Sequence, residues 1–322
     1  MIYEYALQPE LVCTWTDRLL CSLIMGQFGL DRGRLVSRYP SQYPSQWKEL
    51  VLESYERNAS RRPDTQKEHA KKQWERKRLE ELLQRLGDVF INRDNPLWTD
   101  ELDWLNNAIA EHRRGKFRAI LASENVRDMN AVLTINDLHD KNPLWSIPQG
   151  GIAVSRDPEK MANIVAPLLQ SAKNVIFVDP HFQPNRRKNW EPLKLFLKIM
   201  AEFQNVTKKQ IVEVHCNADK CGEYGWFKGE CDSNLPNIIP KTMKITIYYL
   251  QEKNGGEALH NRYILTEIGG IGFGYGLDKG NKGQNDDLYL MGCDQLTLRW
   301  SQYANKSAFN MQHEPINIIG KA

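Results

Sequence analysis

The residues best suited to chemistry lie close together late in the chain, at His260 and Arg262. The segment Leu259–Leu265 predicts a strand. Alternate side chains of a strand point to the same face, so His260 and Arg262 should face the same way about 6.6 Å apart. An imidazole can act as a nucleophile or exchange a proton, and a guanidinium can bind two phosphate oxygens. The pair could therefore contact a single phosphate group.

A glycine-rich segment follows this pair. Five of the eight residues from 269 to 276 are glycine, and Asp278 lies two positions beyond them. So many glycines are costly unless the backbone turns or approaches another group closely, and successive backbone N–H groups there can receive an oxyanion. We therefore expect Gly274 and Asp278 to contribute to binding the same ligand.

A second group of polar residues follows the apolar run Val175–Val178, which is typical of a strand buried on both faces. Asp179 and His181 come after this run, and a basic loop follows them, consisting of Arg186, Arg187 and Lys188. Ligand sites of open α/β sheets lie beyond the carboxyl ends of strands, so these residues predict a site for an anion such as a phosphodiester. The alternative is a turn-capping aspartate, a histidine packed at the rim and a solvated basic loop.

The segment around His260 resembles the phospholipase D superfamily. The motif of that superfamily is His-x-Lys, four residues, Asp, and then a small-residue stretch that ends Gly-Ser-x-Asn. His260 matches the histidine, Arg262 stands at the lysine position and Glu267 falls at the aspartate position. The resemblance implies a histidine that attacks phosphorus without a metal, and a second motif's histidine that protonates the leaving oxygen.

The match departs from that motif in a way that suggests a divergent branch. The final element falls at Gly274-Tyr275-Gly276-Leu277, which has neither the serine nor the asparagine. His-x-Arg followed by Gly-x-Gly-Leu-Asp resembles the phospholipase D-like C-terminal domain of microtubule-interacting-and-transport proteins, which is regarded as a non-catalytic binding module. The resemblance covers about residues 155 to 300. It therefore implies either an enzyme or a binding module.

A second histidine motif would allow one chain to complete the reaction that the resemblance implies. His139-Asp140-Lys141 has the His-x-Lys spacing, but Asn142-Pro143 follows at once and breaks a strand. His69 and Lys71 belong to a predicted helix, where residues two apart do not share a face. We therefore expect catalysis to need a homodimer or a partner subunit, or an acid such as His181.

The elements that must position these residues alternate in the second part of the chain. Strand-like segments at 175–178, 211–214 and 243–250 are separated by helical patterns, which is typical of a βαβ sheet. Two further strands are predicted at 286–291 and 295–300.

The first part of the chain reads as mainly helical. The leucines at helical spacing between residues 79 and 86 predict one long helix, and the Tyr-Pro-Ser-Gln repeat at 39–46 predicts an extended linker. Short apolar segments at 118–122 and 131–135 predict strands. The predicted fold class is therefore α/β, with a helical N-terminal region at 1–115 and a phospholipase D-like mixed sheet flanked by helices at 116–322.

Composition excludes several classes of protein. The 322 residues are 41% hydrophobic and 26% charged, which is close to a globular protein and far from a disordered one. No run approaches the roughly 18 apolar residues of a membrane span, and the N-terminus lacks the features of a secretion signal. Six cysteines are too few for a disulfide scaffold, so we expect a cytoplasmic protein.

Cofactors are not expected. His215, Cys216, Cys221 and Cys231 could be considered as zinc ligands, but gaps of four and nine residues differ from the usual ligand spacing, so buried free thiols are favoured. The glycines around Tyr275 match neither the Gly-x-Gly-x-x-Gly loop that binds dinucleotides nor the Walker loop with its lysine.

The leading hypothesis is a metal-independent phosphodiesterase acting on nucleic acid, that is, a nuclease. Its nucleophile is His260, Arg262 binds the phosphate, and Glu267 completes the motif. The alternative is a non-catalytic phospholipase D-like module that binds phosphate groups or a protein partner at the same pocket. No membrane partner is expected.

Overall fold

A computed structural model describes residues 2–29, 32–40, 44–58, 65–87, 89–91, 96–114, 117–126, 128–146, 151–202 and 210–322. The chain divides into two compact units, Ile2–Ile147 and Pro148–Ala322. Both units are built from helices and strands, so the predicted α/β class is confirmed.

The N-terminal unit contains a parallel sheet of five strands. In chain order the strands are β1 (Tyr3–Leu7), β2 (Arg34–Ser37), β3 (Phe90–Ile91), β4 (Ala119–Leu121) and β5 (Val132–Leu133). They lie side by side in the order β3-β2-β1-β4-β5. The helices are α1 (Pro9–Val12), α2 (Arg18–Met25), α3 (Pro44–Asn58), α4 (Gln66–Gly87) and α5 (Trp104–Arg114).

This sheet corrects the prediction of a mainly helical region ending at residue 115. The strands predicted at 118–122 and 131–135 exist as β4 and β5, but β4 pairs with β1, so both belong to the N-terminal unit. The boundary therefore falls after residue 147. β1 and β2 are only five and four residues long, too short to show a clear period. α3 starts at Pro44, inside the predicted linker, because proline fits the first turn of a helix.

The long helix predicted from its leucines is confirmed as α4. The side chains of Leu79, Leu82, Leu83 and Leu86 are buried, and the helix ends at Gly87. Leucines three and four residues apart share one face, which packs into the core of the unit.

The C-terminal unit contains a mixed sheet of nine strands. The strands are β6 (Ile152–Ser155), β7 (Asn174–Val178), β8 (Ile211–Asn217), β9 (Lys244–Glu252), β10 (Arg262–Thr266), β11 (Gly270–Phe273), β12 (Asn285–Leu290), β13 (Phe309–Met311) and β14 (Ile316–Ile319). The sheet order is β13-β9-β8-β7-β10-β11-β12-β6, with β14 also paired to β9. The helices are α6 (Pro158–Ser171), α7 (Arg187–Glu202), α8 (Ala218–Cys221), α9 (Tyr224–Asn234) and α10 (Cys293–Ala304). The strand predicted at 295–300 is wrong, because α10 covers these residues.

The pairing of the central strands of this sheet determines which of the predicted site residues come together. β7 runs parallel to β8 and antiparallel to β10. Val178, the last residue of β7, pairs with Tyr263, the second residue of β10. The residues that follow β7 therefore meet the residues that begin β10 at one edge of the sheet.

Candidate functional site

A cavity of about 510 Å³ opens at this edge of the C-terminal unit. We name it the Arg262 cavity. Six of the site residues expected from the sequence line it, namely Asp179, His181, Arg186, Lys188, Arg262 and Asp278. Four residues that were not predicted as site residues also line it, namely Arg156, Asn189, Tyr275 and Gly276. His260, Glu267, Arg187 and Gly274 were expected in the site but do not line the cavity.

Arg262 is the first residue of β10 and is partly buried. Its guanidinium forms no hydrogen bond or ion pair with the part of the chain that the structure describes. A guanidinium carries five N–H donors in a planar fork that fits two oxygens of a phosphate or carboxylate. Arg262 therefore offers an unoccupied anion-binding group to the cavity.

Asp179 lies beside it and is 5% exposed. Its Oδ1 accepts a hydrogen bond of 3.0 Å from the backbone N–H of His181. Burial raises the pKa of the Asp179 carboxyl to about 6, and the charge of Asp278 acts in the same direction, while Arg262 and Lys188 oppose it. This carboxyl therefore changes charge just below neutral pH.

His181 lies at the rim with its side chain exposed. Partial desolvation lowers the pKa of His181, and electrostatic repulsion from Arg262 and Lys220 lowers it further, as does His260 when it is protonated. The imidazole is therefore neutral at pH 7, so one ring nitrogen can accept a proton or act as a nucleophile.

His260 occupies the turn that precedes β10, and its side chain is exposed. It does not line the cavity, yet it is close enough to His181 to influence its titration. The structure thus brings two histidines of one chain, 79 positions apart in the sequence, close enough to interact electrostatically.

The basic loop does not act as a unit. Arg186 lines the cavity and has no ion-pair partner among the described residues. Arg187 forms an ion pair of 3.4 Å with Glu191, one turn further along α7, and does not line the cavity. Lys188 lines the cavity, but its Nζ lies 3.1 Å from Asp278 Oδ2. Only one of the three predicted cations is therefore free for a ligand.

The carboxylate of Asp278 forms ion pairs with two side chains of the protein, so it is not available to a ligand. In addition to Lys188, its Oδ1 forms a short ion pair with Arg156. Arg156 is 6% exposed, and no local pattern predicts its role because its partner lies 122 positions away. Asp278 therefore pairs with two of the cations in the cavity, whereas Arg262 and Arg186 have no carboxylate partner among the described residues.

The glycine-rich segment also differs from the expectation of an oxyanion-binding loop. The backbone N–H groups of Tyr275 and Gly276 donate to the buried carboxylate of Asp286, at 2.7 and 3.3 Å. The N–H of Gly274 donates to the backbone carbonyl of Asp287 at 3.1 Å. These donors are already satisfied within the protein. The glycine at position 274 instead allows Asp286 to approach the backbone closely, since a Cβ there would lie 3.1 Å from Asp286 Oδ1.

Glu267 lies at the opposite end of β10 from Arg262. Its carboxylate accepts hydrogen bonds from the backbone N–H groups of Lys173 and Asn174, at 2.6 and 2.8 Å, where β7 begins. The structure therefore separates Glu267 from the cavity and gives it a role in joining two strands.

The residues considered for zinc are buried near the site. His215 Nε2 lies 2.8 Å from Glu213 Oε2. The thiol of Cys221 donates to the carbonyl of Phe182 at 3.2 Å, and burial raises the pKa of Cys216 and of Cys231. Their raised pKa values mean that Cys216 and Cys231 are thiols at neutral pH. The described residues contain no cluster of three or more metal-ligating side chains arranged to hold an ion.

Comparison with family models, with curated proteins and with solved structures gives no match. Among the described residues, no helix combines the length and the apolar character that a membrane crossing needs. The case for a function therefore rests on the geometry of the cavity.

Proposed function

We propose that the C-terminal unit binds a phosphodiester of nucleic acid in the Arg262 cavity. The observation that carries this proposal is the guanidinium of Arg262, which faces the cavity without a carboxylate partner among the described residues. Arg186 adds a second free cation, and a phosphodiester matches both charge and shape. The likeness of the His260 segment to the phospholipase D superfamily points to the same class of ligand.

The test is the affinity of the full chain for a fluorescent single-stranded oligonucleotide. Arg262→Ala should raise the Kd about 10-fold or more, because a charge-assisted hydrogen bond contributes about 1.5 to 3 kcal/mol. Arg187→Ala is the matched control, since Arg187 is paired with Glu191 outside the cavity. Equal Kd values for wild type and Arg262→Ala would remove the cavity as the binding site.

Hydrolysis is the second candidate function, and the pair of histidines favours it. A neutral imidazole can attack phosphorus and displace the leaving oxygen, which takes a proton from the imidazolium of the other histidine. That histidine, now neutral, takes a proton from the water that cleaves the phosphohistidine, so both groups are restored. His181 lines the cavity and is neutral at pH 7, so in this scheme it is the nucleophile and His260, which lies near it, is the proton donor in its protonated form. Both belong to one chain, so this scheme does not need the homodimer or partner subunit expected from the sequence.

Cleavage of labelled DNA and RNA tests this candidate. His181→Ala and His260→Ala should each abolish cleavage, and cleavage should persist in EDTA because neither step uses a metal. Light scattering on the same sample should find that a monomer is active. Binding without cleavage under all these conditions would leave the non-catalytic module as the function of the site.

The proposed setting is the reducing cytoplasm. None of the six cysteines forms a disulfide, and five of them are buried. Free buried thiols are typical of proteins in a reducing compartment.

A further inference from the structure

Tyr275 is an exposed aromatic side chain at the edge of the Arg262 cavity. Its side chain is 65% exposed although it lines the cavity. An aromatic ring of this size normally buries much of its surface, so an exposed ring beside an anion-binding group points to a ligand with a flat apolar part.

One contact positions the ring of Tyr275, and another holds its backbone. The guanidinium of Arg156 lies 4.5 Å from the ring centroid, and Arg156 is itself buried and paired with Asp278. The backbone N–H of Tyr275 donates to Asp286, which is 4% exposed. Because Arg156 covers one face of a ring that is largely exposed, the opposite face is open to solvent.

We propose that the open face of Tyr275 stacks on an unpaired nucleobase while Arg262 holds the adjoining phosphate, so that the ligand is single-stranded nucleic acid. The inference rests on the proposed binding of a phosphodiester in this cavity. A fixed aromatic ring next to a free cation is the combination that binds single strands, because every base has a π-face that can stack. The bases of a duplex already stack on each other and cannot reach a ring in a cavity.

The probes are two fluorescent oligonucleotides of 12 positions with the same number of phosphates. One is oligothymidylate, and the other carries abasic sites in place of every base. For each variant the measured quantity is the ratio of the Kd for the abasic probe to the Kd for oligothymidylate. This ratio cancels any general loss of affinity that a partly unfolded variant would show.

The wild type should prefer oligothymidylate by about 5- to 150-fold, which corresponds to the 1 to 3 kcal/mol of one stacked base. Tyr275→Ala should reduce this ratio to about one, and Tyr275→Phe should retain it because the ring remains. Trp226→Ala is the control, since Trp226 is also exposed, at 45%, but does not line the cavity. Arg262→Ala should weaken binding of both probes by the same factor.

The outcomes separate the two proposals. Equal binding of both probes by the wild type overturns stacking on Tyr275 and leaves phosphate binding intact. A preference that persists in Tyr275→Ala also overturns it, since the base would then be recognised elsewhere. Absence of binding to either probe overturns the proposed function, and the stacking proposal with it.

A hairpin duplex of equal phosphate count should bind more weakly than oligothymidylate, and tighter binding of the hairpin contradicts a single-stranded ligand.

Discussion

Asp179 and Arg262 lie at the same edge of the sheet because Val178 and Tyr263, their neighbours in the chain, are partners in an antiparallel pair. The carboxyl is buried and the guanidinium is partly buried, and the positive charge of Arg262 favours the ionised form of the Asp179 carboxyl. This relationship makes the electrostatics of the cavity depend on pH.

The stability of the protein should therefore depend on pH through Asp179. Its pKa rises from an ordinary value of 3.8 to about 6 on folding. The folded state binds the proton more tightly than the unfolded state, so the stabilisation is complete below pH 3.8 and is lost as the pH rises through 6. Asp179→Asn does not titrate, so its free energy of unfolding relative to that of the wild type should rise by about 2 to 2.5 kcal/mol between pH 4 and pH 7.5. Urea denaturation of both proteins at the two pH values measures the change. The same difference in the free energy of unfolding between Asp179→Asn and wild type at both pH values would contradict the prediction.

The salt dependence of oligonucleotide binding should distinguish two adjacent arginines. Arg186 is free and lines the cavity, whereas Arg187 is paired with Glu191. Each phosphate contact on a single strand contributes about 0.7 to the slope of log K against log salt. Arg186→Ala should reduce the slope by about this amount, and Arg187→Ala should leave it unchanged. Binding isotherms at several NaCl concentrations provide the slopes, and equal slopes in the two variants would speak against the assignment of Arg186.

Asp286 should stabilise the loop that carries Tyr275. Its buried carboxylate accepts hydrogen bonds from two backbone N–H groups, and Asp286→Ala leaves both donors without a partner. The expected loss is about 2 to 6 kcal/mol, since each of the two unsatisfied donors costs about 1 to 3 kcal/mol. Asp287→Ala is the control, because Asp287 is exposed and uses only its backbone carbonyl to bind Gly274. Equal free energies of unfolding for the two variants would show that the hydrogen bonds to the Asp286 carboxylate do not stabilise the protein.

Glu267 should affect folding and leave binding unchanged. Glu267→Gln keeps one acceptor for the N–H groups of Lys173 and Asn174 but removes the charge, so the free energy of unfolding should fall by about 1 kcal/mol or less. The Kd for the oligonucleotide should equal that of the wild type, because Glu267 lies at the far end of β10. A loss of affinity without a loss of stability would contradict this prediction and show that Glu267 contributes to the binding site.

Local patterns were sufficient for several features of the C-terminal unit. The apolar run at 175–178 predicted a strand buried on both faces, and β7 covers it with four consecutive buried side chains. Asp179 and His181 were expected at its exit and line the cavity together with Arg262. These predictions succeed because burial and strand periodicity involve residues next to each other in the chain.

Patterns in the sequence thus predict the α/β class and the main segments that form the cavity. Which charges and donors remain free within these segments depends on contacts across the folded unit. Arg156 neutralises Asp278 from 122 positions away, and Asp286 occupies the N–H groups of the glycine-rich segment from the neighbouring strand β12. Glu267 is close to the motif in sequence but is carried to the other end of β10 by the length of that strand. The physical reason is that a hydrogen bond or an ion pair depends on distance in space, and strand order, which sets that distance, follows from packing across the whole unit.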